Sequence, residues 1–239
     1  TTFDMGADGT NWQGVARDAY SFNLNYYNGD YTNISTTNTF AGIGVLPTGD
    51  LRNLYNGNIT SMAVNIAKFN SAAGAAGDTA LLYNYKYDQL NRLKSMDAFR
   101  GLNTTANTWT SSLTKLTAYR ERISYDANGN ILTYRRNGHL AATPVMDSLN
   151  YTYNASTNQL NRVQDLAPSN TAYADDIDDN QQANNYTYDA IGNLITDSSE
   201  NIRATAGGIK WNVYGKITEI NKVDSSAGNP YNKGRVKKI

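Results

Sequence analysis

The sequence predicts an all-β protein built of repeated β-hairpins that join laterally into a continuous curved or spiralling sheet. Three observations carry that expectation. A Tyr-x-Tyr-Asp or Tyr-x-Tyr-Asn cluster, then a turn rich in Asn and Gly, then an apolar residue, recurs along the chain. The composition suits strands and turns: 18 residues are Tyr, Asn is commoner still, and apolar residues show no persuasive helical period. The repeat is also uneven. Its marker aromatics Tyr87, Tyr125, Tyr153, Tyr188 and Trp211 stand 38, 28, 35 and 23 residues apart, which suits one winding sheet better than identical blades.

In chain order, residues 1–50 read as divergent hairpin material. Tyr20 to Tyr26 alternates apolar with polar residues, and Asn28-Gly29 signals a turn. Phe40 to Asp50, with Pro47, reads as a loop. Residues 51–220 form the repeat sheet. Asn56-Gly57-Asn58-Ile59 is a turn entering a strand to Ile66, and the β-branched residues and Asn of Thr60 to Phe69 favour strand over helix. Leu81 to Met96 is the first clear hairpin, Lys115 to Arg136 the second, Asp147 to Val163 the third and Tyr186 to Thr196 the fourth. Asn137-Gly138 is expected to supply a further reversal. Ser71 to Asp78 and the acidic stretch from Ala167 to Asn185 read as connections. Ile209 to Ile217 closes the series with Trp211-Asn212 in place of Tyr-Asp, and residues 221–239 read as a loop leading to a further repeat.

Each motif residue has a physical task. In an extended strand Tyr83, Tyr85 and Tyr87 share one face, with Asn84 and Lys86 on the other. Tyr151 with Tyr153, and Tyr186 with Tyr188, repeat that spacing. An aromatic row packs across strands while each phenol keeps a polar tip for a partly wet surface. The carboxylates of Asp88, Asp126 and Asp189 can accept backbone amides and close an Asx turn. Gly129, Gly192 and Gly215 can take the left-handed conformation such a turn requires, and Asn91 tolerates it. Asn130 and Asn193 follow those glycines, and Ile131 or Leu194 restarts the strand.

Bulk properties narrow the function. Lys+Arg and Asp+Glu are both 21, so the net charge is zero, which argues against a nucleic-acid partner. No apolar run is long enough for membrane insertion as a helix. With 0 Cys, disulfides and thiolate metal sites are excluded. The chain opens on Thr1 and ends Gly234-Arg235-Val236-Lys237-Lys238-Ile239, and is read as an internal segment of a longer protein.

These copies resemble RHS repeats, also called YD repeats, with the pattern Tyr-Asp-x-x-Gly-Asn/Arg-Leu. Tyr188-Asp189-Ala190-Ile191-Gly192-Asn193-Leu194 matches throughout, Tyr125 to Ile131 has Ile for Leu, and Tyr87 to Leu93 has Asn for Gly. The resemblance runs from about Leu51 to Ile220. It implies a large secreted or cell-surface bacterial protein whose repeats wind into a hollow shell, as in polymorphic toxins, where the shell encloses a variable C-terminal toxin. The implied partners are further repeats of the same chain, an enclosed toxin or other passenger, and secretion machinery. A self-cleaving core element bearing Pro and Asp, known in the family, is not recognised in this sequence.

The expected function is structural and non-enzymatic, with no catalytic, metal or cofactor site. His139, the only His, reads as a turn residue, since no nucleophile or carboxylate is arranged with it. Asp175, Asp176, Asp178 and Asp179 lack the spacing of a Ca²⁺ loop. Gly42-Ile43-Gly44 precedes neither a helix nor a Lys-Ser/Thr pair. Trp12, Trp109, Trp211 and the Tyr rows support a rival expectation, a surface adhesin that binds glycans or a receptor. Export cargo held by a secretion machine is a further alternative.

Overall fold

Alternating side chains and frequent Asn-Gly and Asp-x-x-Gly turns produce strands almost everywhere that the chain is described. The computed structural model describes residues 20–31, 52–66, 80–103, 109, 113–140, 142–168, 173, 181–223 and 237–238. Trp12, Gly42, Gly44, Pro47, Ser71 to Asp78 and the four Asp from 175 to 179 lie outside them. The described strands pair as antiparallel hairpins and the described residues contain no α-helix, so the all-β hairpin expectation is correct.

The chain forms two units, Thr1–Ile123 with Arg136–Pro144, and Ser124–Arg135 with Val145–Ile239. In the first, β1 (Tyr20–Asn25), β2 (Ser61–Ile66), β3 (Leu81–Tyr87), β4 (Leu93–Arg100) and β6 (Glu121–Tyr125) pair in that order. The short β5 (Thr114–Lys115) pairs with the far end of β4. The register Ala63↔Leu82↔Phe99 places these three on one face, where they form an apolar cluster with Ala80 and Trp109, flanked by Leu102 and Leu113. Tyr83 and Tyr85 occupy the opposite face with Met62, Ala98 and Met96.

The face opposite the Tyr row is buried at this hairpin: Asn84 is 1% exposed and Asp97 2%. Asp97 is fully paired, while Asn84 is bonded through its nitrogen and its buried Oδ1 has no partner. The Asn84 Nδ2 donates to the Thr60 carbonyl at 3.0 Å, and the Asp97 carboxylate receives Arg122 at 2.5 Å and Lys115 at 3.0 Å. Burial opposes ionisation of Asp97, yet the hydrogen bonds and charges of Arg122 and Lys115 outweigh it and hold the carboxyl below its usual range.

In the second unit the order is β6, β7 (Ile131–Asn137), β8 (Val145–Tyr153) and β9 (Leu160–Asp165), with β6 and β7 each contributing residues to both units. The main-chain ladder then divides. Strands β10 (Tyr186–Tyr188) and β11 (Leu194–Asp197) form one hairpin sheet. Strands β12 (Ile209–Trp211), β13 (Ile217–Ile220) and β14 (Lys237–Lys238) form another, in which Glu219 pairs with Lys238. Side chains take over where the ladder stops. Beside β9 the Gln181 Oε1 accepts the Val163 amide at 2.8 Å, and Asn161 and Asn184 bond reciprocally. The expected Asn137-Gly138 turn also differs. Asn137 is the buried last residue of β7, its Nδ2 donates to the Thr117 carbonyl, and Gly138 donates its amide to the Pro144 carbonyl. The reversal therefore lies beyond Asn137, and the exposed His139 follows Gly138 in it.

Candidate functional site

The repeat motif builds a recurring edge, made first of turns. Asp88 Oδ1 accepts the amides of Leu90 and Arg92 at 2.9 and 3.0 Å, and its Oδ2 accepts Arg92 Nε at 2.7 Å. Asp189 does the same with the amides of Ile191 and Asn193, and Asn193 Nδ2 donates to its second oxygen at 2.9 Å. Asp126 receives both the amide and the Nδ2 of Asn130 at 2.8 Å. Asn212, in the Trp variant, accepts the Tyr214 and Lys216 amides through Oδ1. Each turn then closes on a left-handed residue: Asn91 at φ 60°, Gly129 at 94°, Gly192 at 92° and Gly215 at 70°. The third repeat differs. Its loop is one residue longer, with Asn158 at φ 59° donating its amide to the Asn154 carbonyl.

These bonds lower the three carboxyls. At Asp88 and Asp189 burial opposes ionisation, but the amides and side chain of the residue four positions on, Arg92 or Asn193, outweigh it. At Asp126 the Asn130 side chain is the leading cause. The Asx-turn role read from the sequence is thus present at each Asp.

Next to four of these turns the hairpin register slips. Lys86 pairs with Ser95 but Tyr87 with Leu93, so Lys94 is an extra residue. The same slip precedes Tyr153, Tyr188 and Trp211. An extra residue of this kind twists the hairpin and turns the following side chain. That aromatic then reaches back to the preceding repeat. The Tyr87 hydroxyl donates to the Ile59 carbonyl at 3.0 Å, Tyr153 to Ile131 at 2.9 Å, Tyr188 to Leu160 at 3.0 Å, and Trp211 Nε1 to Leu194 at 2.8 Å. Every acceptor is the apolar residue just after the preceding turn. Ile131, Leu160 and Leu194 each open a strand, and Ile59 lies just ahead of β2. Four marker aromatics therefore lock one repeat to the next by the same bond.

Burial raises the phenols of Tyr87, Tyr153 and Tyr188 above their usual range, so they remain protonated donors at neutral pH. Tyr85, which faces Met96, is pushed up to about 12 by burial first and by Tyr83, Tyr87 and Glu121 next. Tyr186 is raised by burial, and Tyr151 pairs with Val163 in β8–β9. Tyr125 ends β6 beside Ser124, whose hydroxyl bonds Thr133 at 2.6 Å, as Thr187 bonds Thr196 at 2.5 Å in the fourth hairpin.

The turns also meet each other through amides that sequence reading did not single out. Asn56 and Asn58 both donate Nδ2 to Asn91 Oδ1, at 2.9 and 3.0 Å. Asn130 donates to Asn158 Oδ1 at 2.6 Å. Turn tips carry exposed large side chains, with Tyr55 76%, Ile191 85% and Tyr214 84% exposed. Among the described residues no cluster of His, Cys, Asp or Glu could hold a metal ion, and no helix is long and apolar enough to cross a membrane. No protein-family model and no curated protein sequence matches this chain.

Proposed function

We propose that this chain is a structural, non-enzymatic wall segment of an RHS-repeat protein, secreted or on a bacterial cell surface. The wall encloses or carries a C-terminal toxin or other passenger. The observation that carries this reading is the lock repeated at Tyr87, Tyr153, Tyr188 and Trp211. A repeat that spends its conspicuous aromatic on the backbone of the preceding repeat is organised for lateral assembly, not for chemistry at one place. Because the acceptor is a main-chain carbonyl, the scheme tolerates change in length and side chain between hairpins. That fits the uneven repeat and a sheet that winds as hairpins are added.

The experiment fuses a protease-sensitive reporter after Ile239 and follows its digestion. Reporter cleaved more slowly than free reporter supports enclosure; equal rates contradict it. A second reading, a glycan-binding adhesin, draws on the exposed aromatic tips Tyr55 and Tyr214. A glycan array separates the two: selective binding lost on Tyr55→Ala or Tyr214→Ala favours adhesion, and no binding disfavours it.

A further inference from the structure

We infer that Asn154, in the turn of the third hairpin, is an acceptor site for an N-linked glycan. The donor is an activated sugar, joined through its anomeric carbon to a phosphate. Asn154 Nδ2 bonds to that carbon and gives up one proton. The carbon–oxygen bond to phosphate breaks, and the phosphate leaves with the electron pair. No oxidant or reductant enters the balance.

Asn154-Ala155-Ser156 has the Asn-x-Ser/Thr pattern of such acceptors. A pattern this short is weak alone, and the turn around it supplies the rest. Asn154 Oδ1 accepts the Ser156 amide at 3.0 Å and the Ser156 hydroxyl at 2.7 Å. A backbone N–H only donates, so this bond fixes which end of the carboxamide is oxygen. The nitrogen, Nδ2, donates to no described residue. Residues 154–158 are all exposed, so an enzyme can reach the amide and the hydroxyl together. The turn closes through the Asn154 amide on the Gln159 carbonyl and the Asn158 amide on the Asn154 carbonyl, both at 2.8 Å. Neither bond uses Nδ2, so attachment there breaks none of them.

The other described copies of the pattern lack this combination. In Asn58-Ile59-Thr60 the Asn58 Nδ2 donates to Asn91 at 3.0 Å, and the buried Thr60 turns its hydroxyl to the Arg52 carbonyl at 2.6 Å. In Asn150-Tyr151-Thr152 the half-buried Asn150 lies within β8, flanked by β7 and β9, and its Oδ1 accepts Arg135 at 2.8 Å. In Asn185-Tyr186-Thr187 the Asn185 is 2% exposed and its Nδ2 donates to Asp197 at 2.9 Å. Asn33-Ile34-Ser35 lies outside the described residues and Asn103-Thr104-Thr105 extends outside them. Asn212 opens an exposed turn of the same kind, but Tyr214 stands where the pattern needs Ser or Thr.

The test incubates the folded 239-residue chain with a nucleotide-activated hexose and a glycosyltransferase that modifies synthetic peptides of all four of these patterns. Mass spectrometry of the digested chain then maps the attached hexose. Asn154 should be occupied at least about 10-fold more than Asn58, Asn150 or Asn185, which must wait for local opening. Ser156→Ala should abolish attachment at Asn154, and Ser156→Thr should retain it. A folded chain left bare at Asn154, or carrying as much hexose at any of the other three, would overturn the inference, as would attachment unaffected by Ser156→Ala.

Discussion

The two units bury unequal apolar cores beneath the same repeat motif. In the first, Ala63, Val64, Leu82, Met96, Ala98, Phe99 and Trp109 are all buried. Among the described residues of the second, the buried apolar side chains are Leu149, Val163 and Ile209. Polar burial is equal: Thr60, Ser61, Asn84, Ser95, Asp97 and Asn137 in the first unit, and Asp147, Asp165, Gln181, Asn185, Thr196 and Asn221 in the second. Some of the second unit's polar groups answer specific backbone needs. Asp165 Oδ1 accepts the amides of Ser148 and Ala167 at 2.8 and 2.7 Å, and Asn185 Oδ1 accepts Ser199 while its Nδ2 donates to Asp197. With equal polar burial, the first unit has the larger apolar core, so the second depends relatively more on its hydrogen bonds. Turn and lock are common to both, so the motif specifies how repeats meet and leaves open what lies beneath them.

The difference predicts where damage is greatest. Phe99→Ala opens the apolar cluster and should cost about 3–5 kcal/mol, read as lost protection in hydrogen exchange across β3 and β4. Val163→Ala should cost less, about 1–2 kcal/mol, because fewer apolar atoms surround it. Equal losses would dissolve the contrast. Asn185→Ala leaves the Ser199 amide and Asp197 without this partner and should cost about 1–3 kcal/mol in the second unit. A negligible loss would mean that buried polar groups do not hold that unit.

Much of this was legible because hairpin turns are local. Asp88, Asp126 and Asp189 announce their turns within a few residues, and Asn91 occupies the left-handed position expected of it. The locks were not legible: their donors are conspicuous, but their acceptors are carbonyls, which every residue presents alike. Nor was the pairing of Tyr20 with Ile66, since a long-range register leaves no mark in either strand alone. Nor were the partners of Asn84 and Asp97, because Thr60, Lys115 and Arg122 lie far from them in sequence.

Backbone strain gives a smaller effect, shared by both units. Gly129→Ala places a side chain at φ 94° and should cost about 1–2 kcal/mol, whereas Asn91→Gly keeps the left-handed residue and loses only the exposed acceptor of Asn56 and Asn58, costing about 0.5–1 kcal/mol. Acid and alkali titrations extend the comparison. The carboxyls of Asp88, Asp126 and Asp189 lie below the ordinary 3.8 in the folded chain. Their contribution is complete above that value and is lost as pH falls through the lower folded values. Raised phenols act in the opposite sense. Tyr85, near 12 when folded and 10.0 when unfolded, contributes fully below pH 10.0, and its contribution is lost as pH rises toward 12. Denaturation midpoints measured against pH should therefore fall at both extremes.

The most direct test of lateral assembly through the aromatic lock is hydrogen exchange on three single variants, Tyr87→Phe, Tyr153→Phe and Tyr188→Phe. Each removes one hydroxyl and leaves a carbonyl without its donor, so each should lose about 1–2 kcal/mol of protection in its own hairpin and the preceding repeat. The loss should be similar in both units, while Tyr214→Phe, at an exposed tip, changes nothing. Unchanged protection in the three lock variants, or loss confined to one unit, would contradict the account.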